Sequence, residues 1–287
     1  MGARMAGEPV AAPIREAVAG AAAELRSGGI EPCLATVLVG DDPASATYVG
    51  RKHAACGEAG ILTRDVRLGA GATQEEVLGA VRELDSDPSV HGILVQLPLP
   101  GGLDPAPPIA AISPSKDVDG LTPQNAGLLA SGRPALVPCT PAGVMAMLDH
   151  YGVETAGRAV TIINRSGLVG RPLCSLLLGR DATVTVCHSR TRGIGGICAA
   201  SDVIITAVGD RSRFTLGPEM VGEGAVVVDV AISRVDGRLA GDVDYDAVIQ
   251  KASLVSPVPG GVGPMTVAML LRNTITAASL GGQAGRR

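Results

Sequence analysis

Tyr48 and Lys52 stand four residues apart in a stretch, Ala44 to Ala59, whose pattern predicts a helix stopped by Gly60. The two side chains then share one helical face. A lysine serves as a base only when desolvation or its neighbours depress its pKa; the plain alternative is an exposed lysine beside a packed tyrosine. Gln96 ends a short apolar strand, Gly92-Ile-Leu-Val-Gln96, that runs into Pro98 and Pro100. Strand ends are where α/β sites collect, although such an amide can also serve only local backbone. Lys116-Asp-Val-Asp-Gly120 sets Asp117 and Asp119 two apart in a loop, either as working carboxylates or as an Asx-type turn.

A second group of residues suits a nucleotide. Val160-Thr-Ile-Ile-Asn-Arg-Ser-Gly-Leu-Val-Gly-Arg-Pro172 passes from strand to turn to helix. It lacks the Gly-x-Gly-x-x-Gly spacing, yet Ser166, Gly167 and Gly170 are small where backbone must approach a ligand, just before a helix N-terminus that can take phosphate. An ordinary strand-to-helix turn is the alternative. The end of the next strand, Val186-Cys-His-Ser-Arg-Thr191, has no carboxylate to hold a ribose 2′-hydroxyl and offers Ser189 and Arg190 instead. With Arg165 in the turn, this favours a 2′-phosphate, hence NADP over NAD, unless Arg165, Arg190 and Arg192 are only solvated surface charges. Pro257-Val-Pro-Gly-Gly-Val-Gly-Pro264 lets backbone come close to a ligand, or is a structural turn. The four histidines show no ligand spacing, and the six cysteines form no Cys-x-x-Cys pair. No metal site is expected.

The elements that must position these residues alternate. Helical patterns cover Pro9 to Arg26, Ala44 to Ala59, Gly170 to Leu178 and Met265 to Leu280. A capping box, Thr73-Gln-Glu-Glu76, opens another that runs to about Asp85, and Thr140-Pro141 is expected to cap one ending near Tyr151. Apolar runs at Cys33–Val39, Gly92–Gln96, Ala159–Ile163, Ala182–Cys187, Asp202–Val208 and Ala225–Val230 read as buried strands, with Ile61–Leu68 extended. Continuous apolar strands between helices indicate α/β architecture with parallel sheets covered on both faces. The Pro-rich stretch Pro105 to Asp119 is the expected domain boundary, and the polar Gly/Arg tail is expected to fray.

The chain has 287 residues, 46% of them hydrophobic, and a formal net charge of -4. Disorder is excluded, and a basic nucleic-acid surface is not expected. With three Tyr, one Phe and no Trp, stacking on single strands is not expected either. No secretory leader and no membrane span are anticipated, and the cysteine usage fits a reduced, cytoplasmic compartment.

Taken together, these segments resemble the bifunctional methylenetetrahydrofolate dehydrogenase/methenyltetrahydrofolate cyclohydrolases, from Pro9 to about Ala278. The resemblance is carried, in order, by Val39-Gly-Asp-Asp-Pro-Ala-Ser45 with Tyr48 and Lys52, by Gly92-Ile-Leu-Val-Gln-Leu-Pro-Leu-Pro100, by Lys116-Asp-Val-Asp-Gly120, by Pro138-Cys-Thr-Pro141 and by Pro257-Val-Pro-Gly-Gly-Val-Gly-Pro-Met-Thr266. It implies an N-terminal α/β catalytic domain over 1–118, rejoined by a C-terminal helix over 265–287, and a Rossmann-like NADP-binding domain with a parallel sheet over 119–264. It implies NADP-dependent oxidation of 5,10-methylenetetrahydrofolate and hydrolysis of the product to 10-formyltetrahydrofolate, in one-carbon metabolism that feeds purine biosynthesis. It also implies a homodimer without nucleic-acid or membrane partners. Lys52 is then the catalytic lysine, Tyr48 lines the folate site, Gln96 holds the lysine, and Asp119 anchors the pterin. Pro259, Gly260 and Gly261 contact substrate, while Asn164, Arg165, Ser166, Ser189 and Ile232 contact the cofactor. A cyclohydrolase with little dehydrogenase activity and a non-catalytic folate- or nucleotide-binding protein are the alternatives.

The sequence departs from that family mainly in the nucleotide half. Asn164 stands where the turn usually begins with Gly, and Asp229-Val-Ala-Ile-Ser233 replaces the usual Asp-Val-Gly-Ile-Asn. His91 takes the place of a common Asp. Asn164 is expected to adopt the positive φ of a glycine and to crowd or contact the phosphates; Ala231 is expected near the nicotinamide ring.

Overall fold

Where apolar residues run on continuously the chain forms strands, and where they recur every three or four residues it forms helices. The computed structural model describes residues 1–235 and 237–284. In chain order the elements are β1 (Ala3–Arg4), α1 (Glu8–Ser27), β2 (Cys33–Val39), α2 (Pro43–Glu58), β3 (Leu62–Leu68), α3 (Gln74–Ser86), β4 (Gly92–Val95), α4 (Ala106–Ala110), α5 (Pro123–Ala130), α6 (Cys139–His150), β5 (Ala159–Ile163), α7 (Gly170–Leu178), β6 (Thr183–Cys187), α8 (Ile194–Ala199), β7 (Val203–Thr206), β8 (Val226–Asp229), β9 (Ser233–Val235), β10 (Arg238–Ala240), α9 (Tyr245–Val248), β11 (Leu254–Val255) and α10 (Val262–Ala284).

The chain divides into two units, one of Pro13–Cys139 with the chain from Val267, the other of Met1–Ala12 with Thr140–Thr266. The first holds a three-stranded parallel sheet in the order β3-β2-β4. Its central strand β2 is buried at every position, as a strand covered on both faces must be. Val77, Val81 and Leu84 of α3 recur at helical spacing and pack on Ala35, Val37, Ile93 and Val95. Thr73 and Glu76 form the expected capping box. The segment after α4 returns beside β4, where the Ile93 N–H donates to the Lys116 carbonyl at 2.8 Å and Ile93 bridges Asp117. Gln96 and Asp119 thereby leave one edge of this sheet together.

The second unit holds a six-stranded sheet, β1-β11-β8-β7-β5-β6, parallel throughout. From β5 the chain goes to β6 on one side and then to β7 on the other, so the strand order reverses at β5. In open parallel sheets that reversal opens a crevice at the carboxyl ends of the strands. The β5–α7 turn lies there.

Several expectations change in detail. By contacts, the units part at Cys139/Thr140. The reason is side-chain bonding: in α10 the Asn273 amide donates to the Val118 and Val137 carbonyls at 2.8 and 2.9 Å, tying the intervening segment to the unit of β2. Residues 1–12 join the six-stranded unit because β1 adds to β11. The Pro-rich stretch is not a bare linker, since it contains α4, with prolines in the first turn where no N–H is needed. Thr140 does not cap α6: the helix starts at Cys139, and the Thr140 hydroxyl is 3.0 Å from that of Thr266. The helix expected over 265–280 runs over Val262–Ala284. The tail beyond residue 284 lies outside the described residues.

Candidate functional site

Asp42 caps α2 by accepting from the Ser45 N–H at 2.8 Å, with Pro43 in the first turn. That start fixes the helix phase and puts Tyr48 and Lys52 one turn apart. Lys52 is only 5% exposed, unusual for its type. Its Nζ donates to Gln96 Oε1 at 3.1 Å and lies 4.4 Å from the centre of the Tyr48 ring. Gln96 is buried just past β4, and its Nε2 donates to the Leu97 carbonyl at 2.8 Å. The amide is thereby oriented with its oxygen toward the lysine.

Electrostatics favour neutral forms here. Burial pushes the Lys52 pKa down, and the attraction of Asp119 opposes this without overcoming it. Burial pushes the Asp119 carboxyl up, against the pull of Lys52 and a hydrogen bond with the Cys139 thiol. Burial holds the Cys139 thiol well above its ordinary value, with Asp119 adding to the rise; its Sγ donates to the Val118 carbonyl at 3.3 Å. Tyr48 is likewise raised, first by burial and then by Asp119. A neutral amine beside a carboxyl group can take a proton from water and return it, which a fixed ammonium cannot.

The paired aspartates divide their work. Asp117 is the Asx turn: its oxygens accept from the Leu121 and Thr122 N–H groups at 3.0 and 2.8 Å and from Asn125 Nδ2 at 2.8 Å. Asp119 faces Lys52 and Cys139 instead. Sequence reasoning missed Cys139 and Asn273. Cys139 entered only as part of the Pro138-Cys-Thr-Pro141 segment, with no role of its own, and Asn273 is a polar residue inside an apolar helix, the signal that could have drawn notice.

In the six-stranded unit, Asn164 does not take the positive φ expected of it. Its side chain turns into the loop. Its Nδ2 donates to the Ala207 carbonyl at 2.6 Å, and its Oδ1 accepts from the Ser166 and Gly170 N–H groups at 2.7 and 3.1 Å. A Cβ at Gly170 would overlap the Asn164 carbonyl oxygen, so only glycine allows this approach of turn and helix. The Ser166 hydroxyl accepts from the Val169 N–H at 3.2 Å. Arg165, Ser189 and Arg190 are exposed at the carboxyl ends of β5 and β6. The 188–191 turn is held by His188 N–H donating to Thr191 Oγ1 at 2.9 Å and Arg190 N–H donating to His188 Nδ1 at 3.1 Å. This donor set, cationic and without a carboxylate, fits a phosphorylated ribose. Ile232 is 57% exposed beyond β8, whereas Ala231 is buried and its N–H donates to Asp229 Oδ1 at 3.1 Å. Pro259, Gly260 and Gly261 lead into α10, and the Gly260 carbonyl accepts from the Gly7 N–H at 2.9 Å. Among the described residues no group of three His, Cys, Asp or Glu could hold a metal, and no helix is long and apolar enough to cross a membrane.

The chain matches two family models, the catalytic domain of tetrahydrofolate dehydrogenase/cyclohydrolase over residues 5–119 and the NAD(P)-binding domain of the same enzymes over 138–281. It belongs to the tetrahydrofolate dehydrogenase/cyclohydrolase family. The bifunctional protein FolD of Cenarchaeum symbiosum is 64% identical over 276 residues, covering 96% of this chain and 98% of that one. The crystal structure of the bifunctional enzyme FolD from Campylobacter jejuni is 44% identical with a TM-score of 0.94, covering 98% of this chain and 99% of the other. That of the Trypanosoma brucei enzyme, complexed with NADP cofactor and inhibitor, is 38% identical with a TM-score of 0.92, covering 100% and 99%. Tyr48, Lys52, Gln96 and Asp119 fall in the segment matched as catalytic, and Cys139 and the Asn164 turn in the segment matched as NAD(P)-binding.

Proposed function

We propose that the chain oxidises 5,10-methylenetetrahydrofolate with NADP and hydrolyses the resulting 5,10-methenyltetrahydrofolate to 10-formyltetrahydrofolate, with Lys52 as the catalytic base. The observation that carries this reading is the buried Lys52 amine, fixed at 3.1 Å by Gln96 Oε1 and depressed in pKa, within a family of dehydrogenase/cyclohydrolases.

The methenyl carbon is cationic, delocalised over the two folate nitrogens it bridges. A charged lysine would repel it, and a neutral one does not. Lys52 Nζ takes a proton from the water that adds to this carbon and gives it to the nitrogen that departs as the C–N bond opens, while the hydroxyl proton of the adduct passes to solvent as the formyl C=O forms. Gln96 holds Nζ while it changes charge. Asp119 accepts hydrogen bonds from the pterin N–H groups, and Tyr48 lines the folate site. NADP, when bound, supplies the hydride acceptor for the oxidation. Arg165 and Ser189 would hold its 2′-phosphate, and Ser166, the Asn164 turn and Ile232 would contact the rest of it. Pro259, Gly260 and Gly261 contact substrate.

The reading extends to a cytoplasmic homodimer that supplies formyl groups for purine biosynthesis, without nucleic-acid or membrane partners. The six cysteines are free, which suits a reducing compartment. Edge strand β3 leaves one side without a strand partner among the described residues, a place where a second copy could pair despite the charged Arg64, Asp65 and Arg67 along it. One preparation assayed for NADP reduction and for loss of methenyltetrahydrofolate absorbance tests the function. Both should be present; hydrolysis alone would reduce the chain to a cyclohydrolase, and neither would leave a binding protein.

A further inference from the structure

Two buried acids in the six-stranded unit have no part in the mechanism above. Asp242 is 0% exposed and Asp229 3%. Neither is in an ion pair among the described residues; both are satisfied by neutral donors instead. Asp242 Oδ2 accepts from the Thr206 hydroxyl at 2.6 Å and the Val208 N–H at 2.7 Å, and its Oδ1 from the Gly209 N–H at 3.1 Å. Asp229 Oδ1 accepts from the Ala231 N–H at 3.1 Å and its Oδ2 from the Val243 N–H at 2.9 Å. The segment 241–243 is thus laid across the carboxyl ends of both β7 and β8. A Cβ at Gly241 would overlap the Asp229 carboxylate, so glycine is required where the segment crosses.

Sheet order says what these loops face. The 2′-phosphate donors Ser189 and Arg190 follow β6, and the phosphate turn follows β5. A dinucleotide lying across the reversal at β5 must carry its other half over the ends of β7 and β8. The loops there are 207–210 and 230–232, the ones the two carboxylates hold.

We propose that Asp229 and Asp242 are positioning residues for hydride transfer, clamping the loops after β7 and β8 in the conformation that seats the nicotinamide end of the cofactor. The inference rests on the dehydrogenase reading. The carboxylates do not touch the cofactor; they act through the backbone of Val208, Gly209 and Ala231. Burying two acids without a cation is costly. Neutral residues would hold a merely structural turn at less cost, whereas an ionised carboxylate binds several N–H groups more rigidly.

The experiment compares wild type with Asp242→Asn and Asp229→Asn, full chains, measuring both activities on each preparation. An amide presents a donor to N–H groups that need an acceptor, so the loop loosens. Dehydrogenase kcat should fall by about tenfold or more while KM for NADP moves by less than about threefold. Methenyltetrahydrofolate hydrolysis, carried by Lys52 in the other unit, should be unchanged. The isotope effect with substrate deuterated at the methylene carbon should rise as hydride transfer becomes slower. A structural role alone would lower both activities together and leave the isotope effect where it was, which would overturn the proposal. So would an unchanged dehydrogenase-to-cyclohydrolase ratio. Should either aspartate variant fail to fold, Thr206→Val removes one donor to Asp242 and should lower the same ratio, an unchanged ratio overturning the proposal. Absence of NADP reduction in wild type would instead refute the dehydrogenase reading itself.

Discussion

Lys52 Nζ and Gln96 Oε1 meet at 3.1 Å, one at the end of a long side chain from α2 and the other just past β4. The amide oxygen accepts from the amine in either protonation state but carries no full charge. It orients the lysine without restoring the pKa that burial has lowered. A carboxylate at the same place would orient it equally well and hold it protonated.

Lys52→Met should therefore abolish hydrolysis of methenyltetrahydrofolate while the chain stays folded, since methionine fills the buried space of the lysine stem. Circular dichroism and the absorbance assay on one preparation check this, and hydrolysis at the wild-type rate would remove Lys52 from the mechanism. Gln96→Glu should keep the contact but raise the lysine pKa. Cyclohydrolase activity depends on the neutral amine, so it rises with pH as Lys52 loses its proton. In the variant that limb should move to higher pH, with less activity at neutrality. A pH profile superimposable on wild type would mean the base lies elsewhere.

Asp119→Ala should act mainly on KM for folate, because a contact made in ground and transition states alike contributes uniform binding. Loss of its hydrogen bonds, worth about 0.5–1.5 kcal/mol each, corresponds to roughly two- to tenfold in KM per bond. Asp117→Ala should behave differently, since its carboxylate holds the Leu121 and Thr122 N–H groups and Asn125. It should lower thermal stability first. Steady-state kinetics and thermal melts on the pair separate the roles.

That contrast marks the limit of what the sequence shows. Helical period placed Tyr48 and Lys52 on one face, and apolar continuity located β2 and β5, because these features are written in consecutive residues. Asp117 and Asp119 are the same residue type in the same loop, and only the path of the backbone decides which is consumed by turn N–H groups. Asn273 reaches Val118 from 155 positions away. β1 and β11 have two residues each, too few for any period to register. Asn164 was misread because a glycine position was assumed to need positive φ, whereas its side chain fills the turn with polar contacts instead.

Arg165→Ala should narrow the NADP/NAD ratio of kcat/KM by about tenfold or more, the loss of one charge-assisted contact of about 1.5–3 kcal/mol to the 2′-phosphate. Arg165 is exposed and therefore free to reach a ligand. If the ratio does not move, Arg190 becomes the residue to replace.

Asn164→Gly should not improve the nucleotide site. The side chain joins the turn to Ala207 and supplies the acceptor for Ser166 and Gly170. Deleting it removes these bonds and adds backbone freedom, for a loss of about 1–3 kcal/mol. We expect a lower thermal midpoint and weaker NADP binding, by calorimetry, with cyclohydrolase activity retained. Tighter NADP binding in the variant would show that the asparagine obstructs the phosphates after all.

Asp229 gives stability a dependence on pH. Burial pushes its carboxyl up to about 6 from 3.8; Asp242 adds to the rise, and N–H donors from Val243, Asp242 and Ala231 oppose it. Asp242 is the charged group that faces it. The folded chain therefore binds this proton more tightly than the unfolded chain does. The stabilisation from that proton is full below about 4, fades as pH rises through about 6, and is absent above. The span from 3.8 to about 6 corresponds to about 3 kcal/mol. Asparagine is neutral in both states, so Asp229→Asn has no such term; its fixed cost, an amide facing N–H donors, does not vary with pH. The stability of Asp229→Asn relative to wild type should thus be least favourable near pH 4 and improve toward pH 7, by up to about 3 kcal/mol. Urea titrations of both proteins across that range measure the difference directly. A difference that stays flat, or runs the other way, would show that Asp229 keeps its ordinary pKa and that its N–H donors outweigh its burial.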